Sequence, residues 1–437
     1  MLHKFRFIFL GLILILGLYL RYDNLYIWPR EGATFDEFAW TFQGLSLITS
    51  GIPTSWSPHK AYTNRVEYYN PQGAHFTLVT SYLEHPPLFG LVAGGFAYTN
   101  GIRTFDEVTI AKIRPLALIM GVVSIYAVFL LASAVYGEVI GLIASGLYAI
   151  IPTVVIGSRI VQNENFFIPF FLLSLFLISK FIQTKNPWFR NIAAVICGLL
   201  TLAKVPWIAA ALGIVLIFFY LKKYKDAFTF LAIVIPIFSL FFIYGFYFDS
   251  KLFFQLWQLQ LQRYDMAFNS IFALFTSPYL VDRFMIDGWI YFGWFSVFLL
   301  STKDFKKNYM VLLPFLAYFA IFIFAIPNES SHGWYRYPIY PFLIISTALF
   351  LKEYFNKNYL LTFFFFIFTG LSMLQLSWAQ SLGFSFLFLR FFLVLFSISL
   401  MPLFFPKTKK ISDYVNIVSL VVIFILNIWS VRNYNEQ

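Results

Sequence analysis

Apolar stretches recur along this chain at lengths near the ~20 residues an α-helix needs to cross a bilayer, with short polar connections between them. Thirteen are legible, at 5–22, 112–135, 138–156, 165–183, 189–203, 205–221, 227–247, 284–301, 309–327, 335–351, 359–379, 382–404 and 412–431. The pair on either side of Lys204 also reads as one kinked unit. Lipid offers the backbone no hydrogen-bond partners, so spanning segments must be helices or a closed barrel, and uninterrupted runs of this length exclude alternating barrel strands. The pattern predicts an all-α polytopic integral membrane protein whose residues 1–437 form a single domain, with no soluble domain, repeat or flexible linker expected. Two long hydrophilic pieces interrupt it, residues 23–111 and 248–283.

Charge orients these segments. Lysines cluster in alternate short loops, at Lys180/Lys185, Lys222/Lys223/Lys225, Lys303/Lys306/Lys307, Lys352/Lys357 and Lys407/Lys409/Lys410, with Lys4 at the start of the chain. By the positive-inside rule that side is cytoplasmic, which puts both long hydrophilic pieces outside. Arginines gather on the opposite side or in helices, where a planar guanidinium suits phosphate oxygens. The net charge of +11 in a chain that is 60% hydrophobic and 12% charged then reflects membrane topology and anionic lipid, not nucleic acid. Cys197, the single cysteine, lies in an apolar run and rules out an intrachain disulfide or a cysteine-based zinc site. Leu18-Tyr19-Leu20-Arg21 lacks the small residues of a cleavage site, so residues 1–22 read as a retained first helix.

The first external loop carries Thr34-Phe35-Asp36-Glu37. Thr34 and Glu37 have capping-box spacing, in which the hydroxyl caps the helix and the carboxylate bonds back to the cap amide. Phe35, Phe38, Phe42 and Leu45 follow at helical spacing, predicting an amphipathic juxtamembrane helix. Neighbouring helical side chains diverge by about 100°, so the two acids cannot aim at one atom from the same side. That division assigns the chemistry to Asp36, kept ionised by the helix dipole, and a chiefly structural part to Glu37.

Further on, Glu84-His85-Pro86-Pro87-Leu88 sets an imidazole at the start of an apolar helix, where an anion also fits. Ser158-Arg159 and Glu164 flank a tight external turn, a spacing that a local ion pair would also explain. Lys204-Val205-Pro206 puts an ammonium at the external end of an apolar helix, to snorkel to headgroups or meet a lipid phosphate. Arg283 stands just before the next apolar run, and the stretch from Ser330 through His332, Arg336, Tyr337 and Pro338 opens another helix. Counting helices puts all of these at one external face, and a scatter of unrelated charges would not converge so. The segment from Tyr247 to Arg283, with Trp257, Arg263, Tyr264 and Asp265, reads either as a horizontal helix covering a substrate or as an inert surface helix.

Taken in order, the Asp-Glu pair, the His-Pro-Pro-Leu element, the Arg-x4-acid turn and the late Arg-Tyr-Pro-x-x-Pro resemble the polytopic C-type glycosyltransferases. The likeness is to the protein O-mannosyltransferase and lipid A aminoarabinose transferase group and covers essentially the whole chain. It implies a site on the non-cytoplasmic face that takes a sugar from a polyprenyl-phosphate carrier and passes it to a hydroxyl of a protein, lipid or glycan. Under the resemblance Asp36 is the catalytic or acceptor-binding acid, Glu37 its partner and Glu164 the second acid. His85, Arg159, Lys204 and Arg336 then bind the donor phosphate, with Glu84, Arg283, His332 and Tyr337 as further candidates. Glu stands at 164 where the family has Asp.

A lipid-phosphate sugar carries its own leaving group, so no cofactor or metal is obligatory, although carboxylates at 36 and 164 suit a divalent cation. In-line attack predicts inversion. The expected partners are the lipid donor, a hydroxyl-bearing acceptor and the bilayer. The compact chain suits a prokaryotic plasma membrane, with the site facing the periplasm or exterior. A transporter or flippase of a lipid-linked saccharide is the alternative, but it would place ionisable groups near the bilayer midplane, whereas these charges lie at one face.

Overall fold

The computed structural model describes residues 2–69, 75–262, 267–277, 279–325, 332–374, 383 and 385–436. In chain order the elements are α1 (Leu2–Tyr22), α2 (Asp36–Ser50), β1 (Thr54–Trp56), β2 (Arg65–Tyr69), β3 (His75–Thr80), α3 (Leu88–Thr99), α4 (Ile110–Tyr136), α5 (Glu138–Ile150), α6 (Pro152–Gly157), α7 (Asn163–Thr184) and α8 (Pro187–Thr201). There follow α9 (Ile208–Tyr220), α10 (Tyr224–Leu261), α11 (Ala267–Thr276), α12 (Gly288–Lys303), α13 (Phe305–Ala325), α14 (Tyr340–Glu353), α15 (Tyr359–Leu374), α16 (Phe386–Ser397) and α17 (Lys409–Arg432). Arg263, Tyr264, Asp265, Ser330, Ser331 and part of the predicted 359–379 and 382–404 spans lie outside the described residues.

The protein is helical and membrane-embedded, as its hydropathy predicts. Among the described residues six helices are long and apolar enough to cross a bilayer, at Phe5–Tyr22, Ile110–Tyr136, Asn163–Thr184, Tyr224–Leu261, Phe305–Ala325 and Pro406–Arg432. The other predicted runs correspond to shorter helices, and proline accounts for several of the differences. The expected 138–156 span breaks at Ile151, extended at φ −65° and ψ 123°, because Pro152 cannot donate to the ladder and starts α6 instead. The 335–351 span opens as a 3₁₀ turn over Trp334–Ile339 before α14 begins. Around Lys204 there are two helices, joined through a 3₁₀ turn at Val205–Trp207.

α4 packs against both α5 and α7, and α7 continues the contact to α8, so the inner helices bury faces that a lone spanning helix would show to lipid. α1, α10 and α17 stay outermost, with Phe7, Ile15, Phe228, Ile243 and Ile425 exposed for hydrocarbon.

The long loop after α1 holds something the helical periodicity does not announce. Between α2 and α3 lies a three-stranded antiparallel sheet, with β3 in the middle, Thr54 opposite Thr80 and Arg65 opposite Val79. α10 reverses at Asp249, whose backbone is extended and whose Oδ1 accepts from the Leu252 amide at 2.9 Å to restart the helix. The returning turns bring Phe253, Leu256 and Trp257 back onto Phe241 and Phe242, and onto Tyr62, Val79, Tyr82 and Leu83 of the loop. Residues 250–261 therefore form a clamp on the sheet rather than an inert surface helix.

α2 and α3 meet through glycines. A Cβ at Gly44 would lie 1.8 Å from the Gly90 carbonyl oxygen, and one at Gly94 would lie 2.1 Å from the Leu45 amide nitrogen. Gly44→Ala is expected to push the helices apart at a cost of about 1–3 kcal/mol. It should appear as a lower melting temperature in detergent together with reduced turnover, since α2 carries Asp36 and α3 follows His85. A Gly44→Ala protein with unchanged melting would show that this close approach carries no packing energy.

Candidate active site

Asp36 sits at the first position of α2, half-buried, where a helix N-terminus favours a carboxylate. Its Oδ2 accepts from the Gln162 side-chain amide at 2.9 Å, and the other end of that amide accepts from the Trp40 indole at 3.0 Å. Gln162 thus sets the carboxylate's direction from the loop before α7. The capping box is not formed. Thr34 Oγ1 accepts from the Asp36 amide at 3.1 Å, but the Glu37 carboxylate turns inward instead of back to the cap.

Glu37 is fully buried in a two-pronged pair with Arg114 of α4, at 3.1 Å from Nε to Oε1 and 2.9 Å from Nη2 to Oε2. It also accepts from the Val161 amide at 2.9 Å, while Arg114 Nη1 donates to the carbonyls of Leu25 and Pro29 at 2.9 and 2.7 Å. The divergence of adjacent helical side chains has separated the two acids as expected: one faces a cavity and the other staples the loop to α4.

The second polar pair is Lys204 and Glu164, 2.8 Å apart and both buried. Asn163 makes this meeting possible. Its amide donates to the Ala203 carbonyl at 2.8 Å and its oxygen accepts from the Trp207 indole at 2.7 Å, tying the start of α7 to the α8–α9 junction. Lys204 does not snorkel. Its ammonium lies 4.5 Å from the Tyr335 ring centroid and 5.4 Å from that of Trp207. Burial pushes this ammonium down, but the adjacent Glu164 carboxylate outweighs it and holds Lys204 above its ordinary value. Lys204 therefore stays a cation.

His85 arrives through two backbone ties: Gln43 donates to its carbonyl at 3.3 Å, and the Leu88 amide donates to the Leu202 carbonyl at 2.9 Å, two residues from Lys204. Its ring packs 4.9 Å from that of Trp40. Asp36, Glu84, His85, Lys204 and His332 all line one cavity of about 370 Å³, walled by Phe35, Trp40, Trp56, Tyr82, Trp334 and Tyr335. Polar groups from four separate stretches of chain meet there, among aromatic faces suited to a sugar ring.

Several expected members are elsewhere. Arg159 makes no pair with Glu164; its fork donates to the carbonyls of Leu20 and Trp28 at 2.8 and 3.2 Å, anchoring the end of α1 and the loop beyond it. Arg336 does not share the Asp36 cavity. It donates to the Ala273 carbonyl at 3.1 Å and lines a separate space of about 20 Å³ with Thr153, Asp287, Tyr291 and Tyr340, room for about one water. Arg283 is exposed and lines neither cavity, and the Tyr337 hydroxyl is buried, donating to the Leu280 carbonyl. The sequence-level expectation of a single pocket holding Asp36, Glu164 and Arg336 is corrected accordingly: Glu164 stands behind Lys204 and Arg336 lies in the second space. Local spacing cannot tell an arginine fork aimed at a ligand from one absorbed by carbonyls.

The cavity also contains groups that sequence reasoning missed. His59, in the turn after β1, lies 3.4 Å from Glu84 through Nε2, and Ser57 Oγ donates to the other oxygen of that carboxylate. Burial first, then the neighbouring Glu84 carboxylate, push the Tyr62 phenol well above its ordinary range, so it stays neutral beside them. No motif spacing links positions 57, 59 and 84; only the sheet brings them together. Among the described residues no three His, Cys, Asp or Glu side chains stand where they could share a metal ion.

Comparison with known proteins falls on the same architecture. The profile of the dolichyl-phosphate-mannose-protein mannosyltransferase family matches residues 84–246, a segment that contains Glu84, His85, Glu164 and Lys204. Over the whole chain the likeness is one of fold, to ArnT and to an archaeal oligosaccharyltransferase. ArnT from Cupriavidus metallidurans, solved bound to undecaprenyl phosphate, has the same fold at a TM-score of 0.55 and 13% identity, the match covering 98% of this chain and 77% of ArnT. The apo form of ArnT gives a TM-score of 0.57 at 12% identity. The oligosaccharyltransferase AglB from Archaeoglobus fulgidus, in complex with an inhibitory peptide and a dolichol-phosphate, gives 0.51 at 14% identity, covering 95% of this chain and 56% of AglB. The chain thus spans little more than half of AglB's length. No curated protein matches it in sequence. The family match begins after Asp36, so that residue is placed in the site by geometry alone.

Proposed function

We propose that this protein is a transferase that moves a sugar from a polyprenyl-phosphate carrier to an acceptor hydroxyl at the non-cytoplasmic face of a prokaryotic plasma membrane, with inversion at the anomeric carbon. The observation that carries the reading is the shared cavity, in which an oriented carboxylate, Asp36, faces the same space as the fixed ammonium of Lys204 and the imidazole of His85. Support comes also from relatives of the same fold solved with undecaprenyl phosphate or dolichol-phosphate.

In this mechanism the acceptor hydroxyl oxygen bonds to the anomeric carbon as the bond from that carbon to the phosphate oxygen breaks. Asp36 orients the hydroxyl and takes its proton, and the electron pair of the broken bond leaves on the lipid phosphate. Lys204 and His85 stabilise that charge. Glu164 spends one oxygen on one N–H of the ammonium and leaves the others for the phosphate. Glu37 and Arg159 serve as scaffold, holding the loop from Leu20 to Asp36. Arg336 supports the wall formed by its neighbours Trp334 and Tyr335.

The test is to incubate the purified protein in liposomes with a polyprenyl-phosphate sugar labelled in the sugar. Release of free lipid phosphate together with a glycosylated product of opposite anomeric configuration is the expected result. Retention of configuration would remove the single-displacement mechanism. Movement of intact donor across the bilayer without cleavage would remove the lipid-phosphate transfer reading.

A further inference from the structure

We propose that His59, backed by Glu84, is a specificity-determining residue that hydrogen-bonds the acceptor, so that the small β-sheet forms the acceptor-selecting wall of the cavity. The inference rests on the transferase reading given above and adds a residue outside the resemblance and the family match, which begins at Glu84.

His59 reaches the cavity from a different part of the chain than the groups that face the phosphate. His85 and Lys204 stand at the ends of apolar helices. His59, Trp56 and Pro58 come from the polar loop between α2 and α3. They line the same space from the sheet, a polar wall that suits a hydroxyl-bearing acceptor.

The two basic groups also differ in their electrostatic surroundings. At Lys204 the pairing carboxylate of Glu164 is hidden behind the ammonium and does not line the cavity. At His59 the pairing carboxylate does line it: Glu84 faces the cavity beside the imidazole, 3.4 Å away. An anionic phosphate placed against His59 would meet Glu84 at close range, whereas a neutral hydroxyl would find an acceptor and a donor side by side.

His59 is held from several directions: its amide donates to Ser57 Oγ at 3.0 Å, its carbonyl accepts from Arg65 of β2 at 2.8 Å, and Ser57 also donates to Glu84. A side chain on so fixed a backbone can discriminate geometry, as a residue on a loose loop cannot.

The test uses the full-length protein in liposomes with polyprenyl-phosphate-linked [14C]mannose as donor and glycerol as the acceptor probe. His59→Ala is expected to raise the glycerol concentration for half-maximal transfer by about tenfold, the loss of one or two hydrogen bonds. Affinity for undecaprenyl phosphate should stay within about twofold, which also reports that the variant is folded. Glu84→Gln should move the acceptor value in the same direction, and His59→Gln, which keeps a hydrogen-bonding tip, should recover part of the loss. An unmoved acceptor value in a folded His59→Ala protein would overturn the proposal, as would an equal fall in donor affinity. A wild-type protein that cleaves no donor overturns the lipid-phosphate reading and this inference with it, a result distinct from normal wild-type turnover with an indifferent His59.

Discussion

Asp36→Asn is expected to lower sugar transfer by about 10²–10⁴-fold while leaving the melting temperature and the affinity for lipid phosphate unchanged. The substitution keeps the shape of the side chain, and the amide oxygen can still accept from Gln162, so the contact that directs residue 36 survives. What is lost is the ability to take a proton. Turnover of a labelled polyprenyl-phosphate sugar, paired with a binding measurement on undecaprenyl phosphate and a thermal melt, separates these effects. A folded, donor-binding Asp36→Asn enzyme with wild-type turnover would remove Asp36 from the chemistry.

Its neighbour should behave in the opposite way. Glu37→Ala leaves Arg114 buried without a carboxylate, and breaking a buried pair of this kind costs about 3–5 kcal/mol. Arg114 keeps only the Leu25 and Pro29 carbonyls, so the loop before Asp36 loses its tie to α4. The expected result is a large drop in melting temperature and in yield of folded protein, with activity falling because the fold does. Replacing both residues by methionine should recover most of the stability lost in either single variant, since neither charge is then stranded. If Glu37→Ala melts like wild type, the pair is not what holds the loop. Two adjacent acids would thus be separated by readout, one by turnover and the other by stability.

The contrast between these neighbours was legible before any coordinates. Consecutive side chains on a helix point about 100° apart, so an Asp-Glu pair at a helix start must send its members to different surroundings. The partner of Glu37 was not legible. Nothing local to Thr34 competes visibly for the carboxylate, and the capping box lost to Arg114, which is 77 residues away in sequence. A charge-assisted two-pronged pair in a dry interior is worth more than a bond to a cap amide that water can also satisfy.

The same distinction separates Lys204 from Arg159. Both read as basic groups at an external helix end, yet one found a carboxylate on α7 and faces the cavity, while the other donates to the carbonyls of Leu20 and Trp28. Arg336 shows the limit of order along a chain: it is two residues from Trp334 in the cavity wall, and its guanidinium still belongs to a different space. His59 carried no signal at all, because its meaning comes from Glu84 across a sheet whose short strands sit among aromatic residues without a clean alternation.

What the chain by itself determined is everything that depends on each residue's own preference for hydrocarbon or water. Bilayer insertion, helical class, the ends of the long helices and the segregation of polar groups to the connecting loops follow from hydropathy, proline and the demand that backbone groups in lipid pair internally. What only the tertiary structure decided is which polar group meets which: Glu37 with Arg114, Lys204 with Glu164, Gln162 with Asp36, His59 with Glu84. Those pairings are settled by the packing of segments far apart in sequence, where desolvation makes an unpartnered charge so costly that whichever partner the fold brings near will capture it.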